Sequence, residues 1–299
     1  MKNSRVGMVR FQSALLLAAL SLLAACGETG PSAPLDASSV SEVTGAQLTG
    51  TAGQALTLTV RVADADDNPL EGVEVTFVVT AGGGSVSPAT DLTDANGEAQ
   101  TRWTLGPTAG SNVLTASVPG GAADQITAIG TAGRPATIAI SAGNNQSARA
   151  GTALSTSPSV VVRDANNNPV PGATVLFTPV SGGGQVVDPA RLTNAQGIAT
   201  VGQWILGNNV GTQTLAAQVA EAGVSGNPAI FTATATAGAP ASITAVSATS
   251  QSARAGSLAS SPPSVRVVDA NGNPVASVQV TFAVTTGGGS LTGATPTTN

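Results

Sequence analysis

Residues 164–177 of this 299-residue chain read DANNNPVPGATVLF, with close copies at 64–77 (DADDNPLEGVEVTF) and 269–282 (DANGNPVASVQVTF). Oxygen-bearing side chains at alternate positions are the chemistry of a calcium loop, where carboxylates and carbonyls surround the ion. An EF-hand loop also requires Gly at its sixth position and a bidentate Glu at its twelfth. Here the sixth position is Pro69, Pro169 and Pro274, and the twelfth is Val75, Val175 and Val280. All three copies miss both requirements. The same residues suit Asx-type turns between two strands, with Asn and Gly tolerating positive φ and Pro fixing the exit. On this reading Asp64, Pro69, Asp164, Pro169, Asp269 and Pro274 are repeat-turn residues. In the first copy Asp64, Asp66 and Asp67 crowd one end beside Glu71 and Glu74, leaving a partly hydrated calcium candidate there. No other metal site and no cofactor is expected.

Other chemistry is limited by missing partners. The chain has no His and no Tyr, its only Lys is Lys2, and its only Cys is Cys26. Beyond residue 26 this removes imidazole bases, thiolate nucleophiles, Schiff-base lysines and His/Cys zinc sites. Ser and Thr abound but have no base to activate them, so the expectation is a protein that is not an enzyme. The Gly triplets at 82–84, 182–184 and 287–289 lack the Lys and the strand-loop-helix setting of a phosphate cradle, and read as sharp strand corners. After Lys2, Arg5 and Arg10, the basic residues are arginines scattered singly in a chain of net charge -5, which excludes nucleic acid as a partner. Trp103, Trp204, Phe77, Phe177, Phe231 and Phe282 lie within alternating strands, which makes them core and leaves no aromatic to stack on a sugar. Of these, Phe77, Trp103, Phe177, Trp204 and Phe282 recur at matching repeat positions.

The elements that must position these residues are short strands. Low aromatic and charged content, with abundant Gly, Pro, Val and Thr, suits strands joined by turns and not helical bundles. Leu56, Leu58, Val60 and Val62 alternate along one strand, and Val73, Val75, Phe77 and Val79 along the next. Ala99, Thr101, Trp103 and Leu105 follow an Asn96-Gly97 turn. About seven such strands per hundred residues is a β-sandwich count. Self-comparison shows the unit recurring: QSARAG stands at 146–151 and 251–256, and TAGRPAT (131–137) and TAGAPAS (236–242) mark the joins. The expected division is 44–133, 134–238 and 239–299, an all-β chain with two complete sandwiches and a truncated third. The third has no counterpart of Trp103 or Trp204, so it is read as a fragment, as poorly folded, or as completed by another chain.

The amino-terminal stretch is an address. MKNSRVGMVR is a charged n-region, and the apolar run that follows is too short for an ordinary transmembrane span. It ends Leu23-Ala24-Ala25-Cys26, which resembles the lipobox of bacterial lipoprotein signals. The resemblance implies a signal peptide over 1–25, lipidation of Cys26, and a membrane as partner through that lipid. Residues 26–43, rich in Gly, Pro and Ser, are then expected to be a flexible tether. Gly27 after the Cys favours the outer membrane or cell surface over the inner membrane.

The repeated D-A-N-x-N-P-V-x-G/S-x-x-V-x-F, the Gly-rich corner and the T-D/N-A-x-G-x-A turn together resemble the bacterial Ig-like domains of group 1, found in intimin and invasin. That resemblance implies tandem Ig-like β-sandwiches that act as a stiff stalk or spacer in adhesion or envelope organisation. The alternative is a binding module that recognises a polysaccharide or protein ligand through loops or a strand edge.

Overall fold

The computed structural model describes residues 37–45 and 48–299. Leu23, Ala24, Ala25 and Cys26 lie outside the described residues. The first sandwich is built of β1 (Ser39–Glu42), β2 (Leu48–Thr51), β3 (Ala55–Ala63), β4 (Glu74–Ala81), β5 (Gly84–Ser87), β6 (Thr90–Leu92), β7 (Glu98–Leu105), β8 (Gly110–Ser117) and β9 (Ala123–Thr131). One sheet runs β1-β3-β7-β5 and the other β2-β9-β8-β4-β6, with β2 and β9 the parallel pair.

The tether expected over 26–43 ends earlier than position 43. Ser39–Glu42 form β1, which pairs antiparallel with β3 from Ser39↔Ala63 to Glu42↔Val60. Val40 joins the core, so one buried side chain and a ladder of backbone bonds hold this segment to the sheet.

Period-two alternation explains what faces inward. Leu58, Val60 and Val62 of β3 are fully buried, as are Ala99, Trp103 and Leu105 of β7. Across the core lie Val75 and Phe77 of β4, Leu114 and Ala116 of β8, and Ile126 and Ala128 of β9. Large residues meet small ones: Phe77 stands opposite Ala116 in the ladder. β4 belongs to one sheet and β5 to the other, so Gly82-Gly83-Gly84, all at positive φ, carries the chain across the core edge. A Cβ on Gly82 would lie 2.7 Å from the Cα of Asn112, a contact only glycine permits.

The second sandwich repeats this plan with β10 (Thr137–Ala142), β11 (Gln146–Arg149), β12 (Ser159–Arg163), β13 (Thr174–Ser181), β14 (Gln185–Val187), β15 (Ala190–Leu192), β16 (Ile198–Thr200), β17 (Gln203–Ile205), β18 (Gly211–Val219) and β19 (Ala229–Thr236). Its five-stranded sheet, β11-β19-β18-β13-β15, matches β2-β9-β8-β4-β6 strand for strand. The other layer is split, because β16 and β17 together stand where β7 does alone. The cause is one extra residue between Ala199 and Trp204 relative to Ala99 and Trp103. The strand yields it as an interruption at Val201-Gly202, and Trp204 still reaches the core at 1% exposure. Phe177 again faces an alanine, Ala217, and its ring packs at 6.4 Å on Phe231.

β20 (Ser242–Ala245) and β21 (Val265–Val268) open the third repeat and pair antiparallel. Phe282 departs from its expected core role. Phe77 and Phe177 are 1% exposed, whereas Phe282 is only half-buried, because among the described residues no strands cover it as β7 and β8 cover Phe77.

Candidate functional site

The three Asp-Asn turns have one internal geometry. Asp64 Oδ1 accepts the amides of Asp66 and Asn68, each at 2.9 Å, and Asn68 Nδ2 donates to Asp64 Oδ2 at 3.0 Å. Asp164 and Asp269 repeat these bonds with Asn166 and Asn168, and with Asn271 and Asn273. Asp67, Asn167 and Gly272 occupy the same left-handed position, with φ of 65°, 66° and 84°. That conformation suits Asp, Asn and Gly because of their short or absent side chains. Pro69, Pro169 and Pro274 follow, each bridging back to the strand before the turn.

What differs is what lies outside the turn. In the second copy Asp164 Oδ2 also accepts the amide of Gly133, in the join between repeats, at 2.8 Å. Asn168 bonds the end of the preceding sandwich twice, donating to the Pro107 carbonyl at 2.9 Å and accepting from the Ala109 amide at 2.8 Å. The third copy makes the same set: Asp269 with Gly238 at 2.8 Å, and Asn273 with the Asn208 carbonyl at 2.8 Å and the Val210 amide at 3.3 Å. Longer contacts from Asn166 to the Ala52 carbonyl and from Asn271 to the Ala150 carbonyl flank each joint. Asp164, Asn168, Asp269 and Asn273 are all buried by this docking. In the first copy Asn68 is exposed, and the bonds of Asp64 described here stay within the turn.

The loop that receives each turn is itself fastened from inside. Asn112, fully buried, accepts the Gly106 amide at 2.9 Å; Gln213, also buried, accepts the Gly207 amide at 2.7 Å. Gln213 further donates to the carbonyls of Gly207 and Asn209. These two amides satisfy backbone groups that would otherwise be buried unpaired beneath the glycine corner, and so position Pro107–Ala109 and Asn208–Val210. A second staple sits behind each turn, where Thr93 and Thr193, both buried, and the half-buried Thr298 each accept a backbone amide and donate to a backbone carbonyl.

The electrostatics follow from the bonds. Donors from Asn68 hold the Asp64 carboxyl below the ordinary carboxylate range. For Asp164 burial is the largest influence and acts upward, but the bonds from Asn168, Gly133 and Asn166 together outweigh it. The Gly238 amide, then Asn273, lowers Asp269 to about 2. Each carboxylate therefore stays ionised as an acceptor for peptide and amide donors.

Asp64 Oδ1 is taken by backbone amides, and Asp67 pairs with Arg61 at 2.7 Å on the surface. Among the described residues no group of three or more His, Cys, Asp or Glu side chains is placed to hold a metal. Trp103, Trp204, Phe77, Phe177 and Phe231 are all buried, and none presents a face to solvent. Sequence reasoning had the turn chemistry but missed the partners of Asn168 and Asn273. One signal was available: Gly133 to Asp164 and Gly238 to Asp269 are both separations of 31 residues.

Residues 38–131 match the family described as Bacterial Ig-like domain (group 1). Among solved structures, the chain is similar to the Escherichia coli adhesin FdeC, with a TM-score of 0.57 and 18% identity over 83% of this chain and 78% of that one. It is also similar to Yersinia pseudotuberculosis InvD, with a TM-score of 0.51 and 19% identity over 79% of this chain and 72% of that one. No curated protein matches it. The chain thus carries a bacterial Ig-like domain of group 1 at residues 38–131, followed by further repeats of the same Ig-like kind, joined by Asp-Asn turns.

Proposed function

We propose that this chain is a non-catalytic spacer of the bacterial cell surface, fixed to a membrane by a lipid on Cys26 and serving adhesion or envelope organisation. The observation that carries the reading is the joint built twice from equivalent residues: Asp164 with Gly133 and Asn168 with Pro107 and Ala109, then Asp269 with Gly238 and Asn273 with Asn208 and Val210. A spacer needs its successive domains held at fixed angles, and a side chain bonded to both sides of a joint supplies that restraint. A flexible string of binding modules has no use for it. The adhesin FdeC, to which the fold is similar, supports a surface role in adhesion.

The test is a distance measurement across a joint. Spin labels are placed on exposed sites of the first and second repeats, in a Cys26→Ser background. A narrow distance distribution is expected, broadened by Asn168→Ala. A distribution already broad in the unaltered joint would overturn the spacer reading.

A further inference from the structure

The entry strands of the first two sandwiches share a register but not a composition. β1 pairs with β3 as Val40↔Val62 and Glu42↔Val60, and β10 pairs with β12 as Ile138↔Val162 and Ile140↔Val160. Val40 and Ile138 are thus equivalent, and both are buried in their cores. Glu42 and Ile140 come next on the same inward face. The facing sheets differ at the matching place. Ala116 and Ala217 stand opposite Phe77 and Phe177, and their partners on β9 and β19 are Asp124 and Ala229. Asp124 lies two residues before the buried Ile126, on the inward face of β9, and Ala229 is itself buried. Where the second sandwich has an isoleucine and an alanine, the first therefore has two carboxylates.

Glu42 Oε1 is shielded from solvent and has no hydrogen-bond partner among the described residues. Burial, and then the charge of Asp124, push the Glu42 carboxyl above its ordinary range. Two strands pack against β1. β9 brings Asp124, and β3 brings Arg61, which stands beside Ser41 on the outward face and pairs with Asp67 at 2.7 Å. The turn at 118–122 between β8 and β9 carries no titratable group. The hold on β1 is slight: a ladder of four residues and the single core side chain Val40. The second sandwich also fastens the outer edge of its entry strand, where Ile138 donates to the Ser225 carbonyl and the Ser225 amide to Ala136, each at 2.9 Å. That bond comes from the loop at 220–228, the longer counterpart of 118–122.

We propose that Glu42 and Asp124 make β1 a pH-dependent latch where the chain enters the first sandwich, closed when Glu42 carries a proton and loosened when it is ionised beside Asp124. A protonated Glu42 has an O–H to donate to the Asp124 carboxylate. An ionised Glu42 repels that carboxylate and recovers its water only if β1 lifts away. The sign follows from the raised value: the folded state holds the proton more tightly than the unfolded chain, so docking is firmest in acid and weakens as pH rises through the folded value. Opening frees Ser39–Glu42 and bares the edge of β3.

Two amides separate the latch from the sandwich. The Val43 amide donates to the Thr59 carbonyl at 3.0 Å, one residue past Glu42, while the Val62 amide donates to the Gly97 carbonyl at 2.8 Å inside the sheet. Hydrogen exchange on the full chain is expressed as protection relative to the free-peptide rate at each pH. Val43 should be at least about threefold less protected at about pH 7 than at about pH 4, with Val62 unchanged. Glu42→Gln keeps the shape without the charge and should remove the difference. Glu42→Ile, which copies the second sandwich, should raise Val43 protection at the higher pH. Because a variant can disturb so short a strand, the carboxyl carbon shift of Glu42 in the unaltered chain gives an independent readout, with a midpoint expected above the ordinary 4.5. Equal Val43 protection at both pH values, a difference that survives Glu42→Gln, an equal loss at Val62, or a Glu42 midpoint at or below 4.5 would each overturn the proposal.

Discussion

The carboxylate of Asp164 accepts the amide of Gly133 at 2.8 Å, so the turn between β12 and β13 of the second sandwich holds the peptide that leaves the first. Asp269 and Gly238 repeat the bond at the same length one domain later. A turn that closes on itself in isolation thus becomes an interdomain fastening once a sandwich stands in front of it.

Asn168→Ala should cost about 1–3 kcal/mol, the range for removing a side chain that satisfies buried backbone groups. Asn68→Ala at the exposed first turn should change stability by no more than about 0.5 kcal/mol. Denaturant unfolding followed by tryptophan fluorescence compares the two. Equal losses would show that the turn acts only within its own domain.

Acid should loosen the joints. The folded-state pKa of Asp269 is lowered from 3.8 to about 2, so its stabilisation is complete above the ordinary carboxylate range and lost as pH falls through the folded value. Asp164 is lowered in the same sense. Amide chemical shifts of Gly133 and Gly238 should move with acid, Gly238 with a midpoint near 2. A Gly238 midpoint at the ordinary carboxylate value would contradict the bonding described.

Trp103→Ala should destabilise the first repeat by about 3–5 kcal/mol, the cost of emptying a fully packed aromatic site. Phe282→Ala should cost clearly less, because that ring is only half-buried. Separate melting transitions for the repeats would report both.

Cys26→Ser should move the protein from the detergent phase to the aqueous phase on detergent phase separation of host membranes. Unchanged partitioning would remove the lipid from the account.

The strands of the first two repeats were legible because alternation of apolar residues reports one-sided burial directly, as in Leu58, Val60 and Val62. The glycine corners were legible too, since three consecutive glycines suit little else than a close backbone approach. Asn168 was not legible in its joint role. Its internal bonds match those of Asn68, and the difference lies wholly in what stands opposite, which a turn motif does not encode. The buried amides of Asn112 and Gln213 were hidden for another reason. They are unlike residues in shifted surroundings that serve the same glycine amide, so self-comparison did not pair them. β1 was missed because Ser39–Glu42 is short and mostly polar, and its place is decided by pairing with β3.

The loop at Gly106–Ala109 is gripped from both sides, by Asn112 of its own sandwich and by Asn168 of the next. A pull along the chain is therefore shared between two parallel load paths. One is the covalent join through Gly133; the other runs from Asn168 through Pro107 and Ala109 to Gly106 and the buried Asn112. Tension that would straighten the join must first break bonds anchored in a hydrophobic interior.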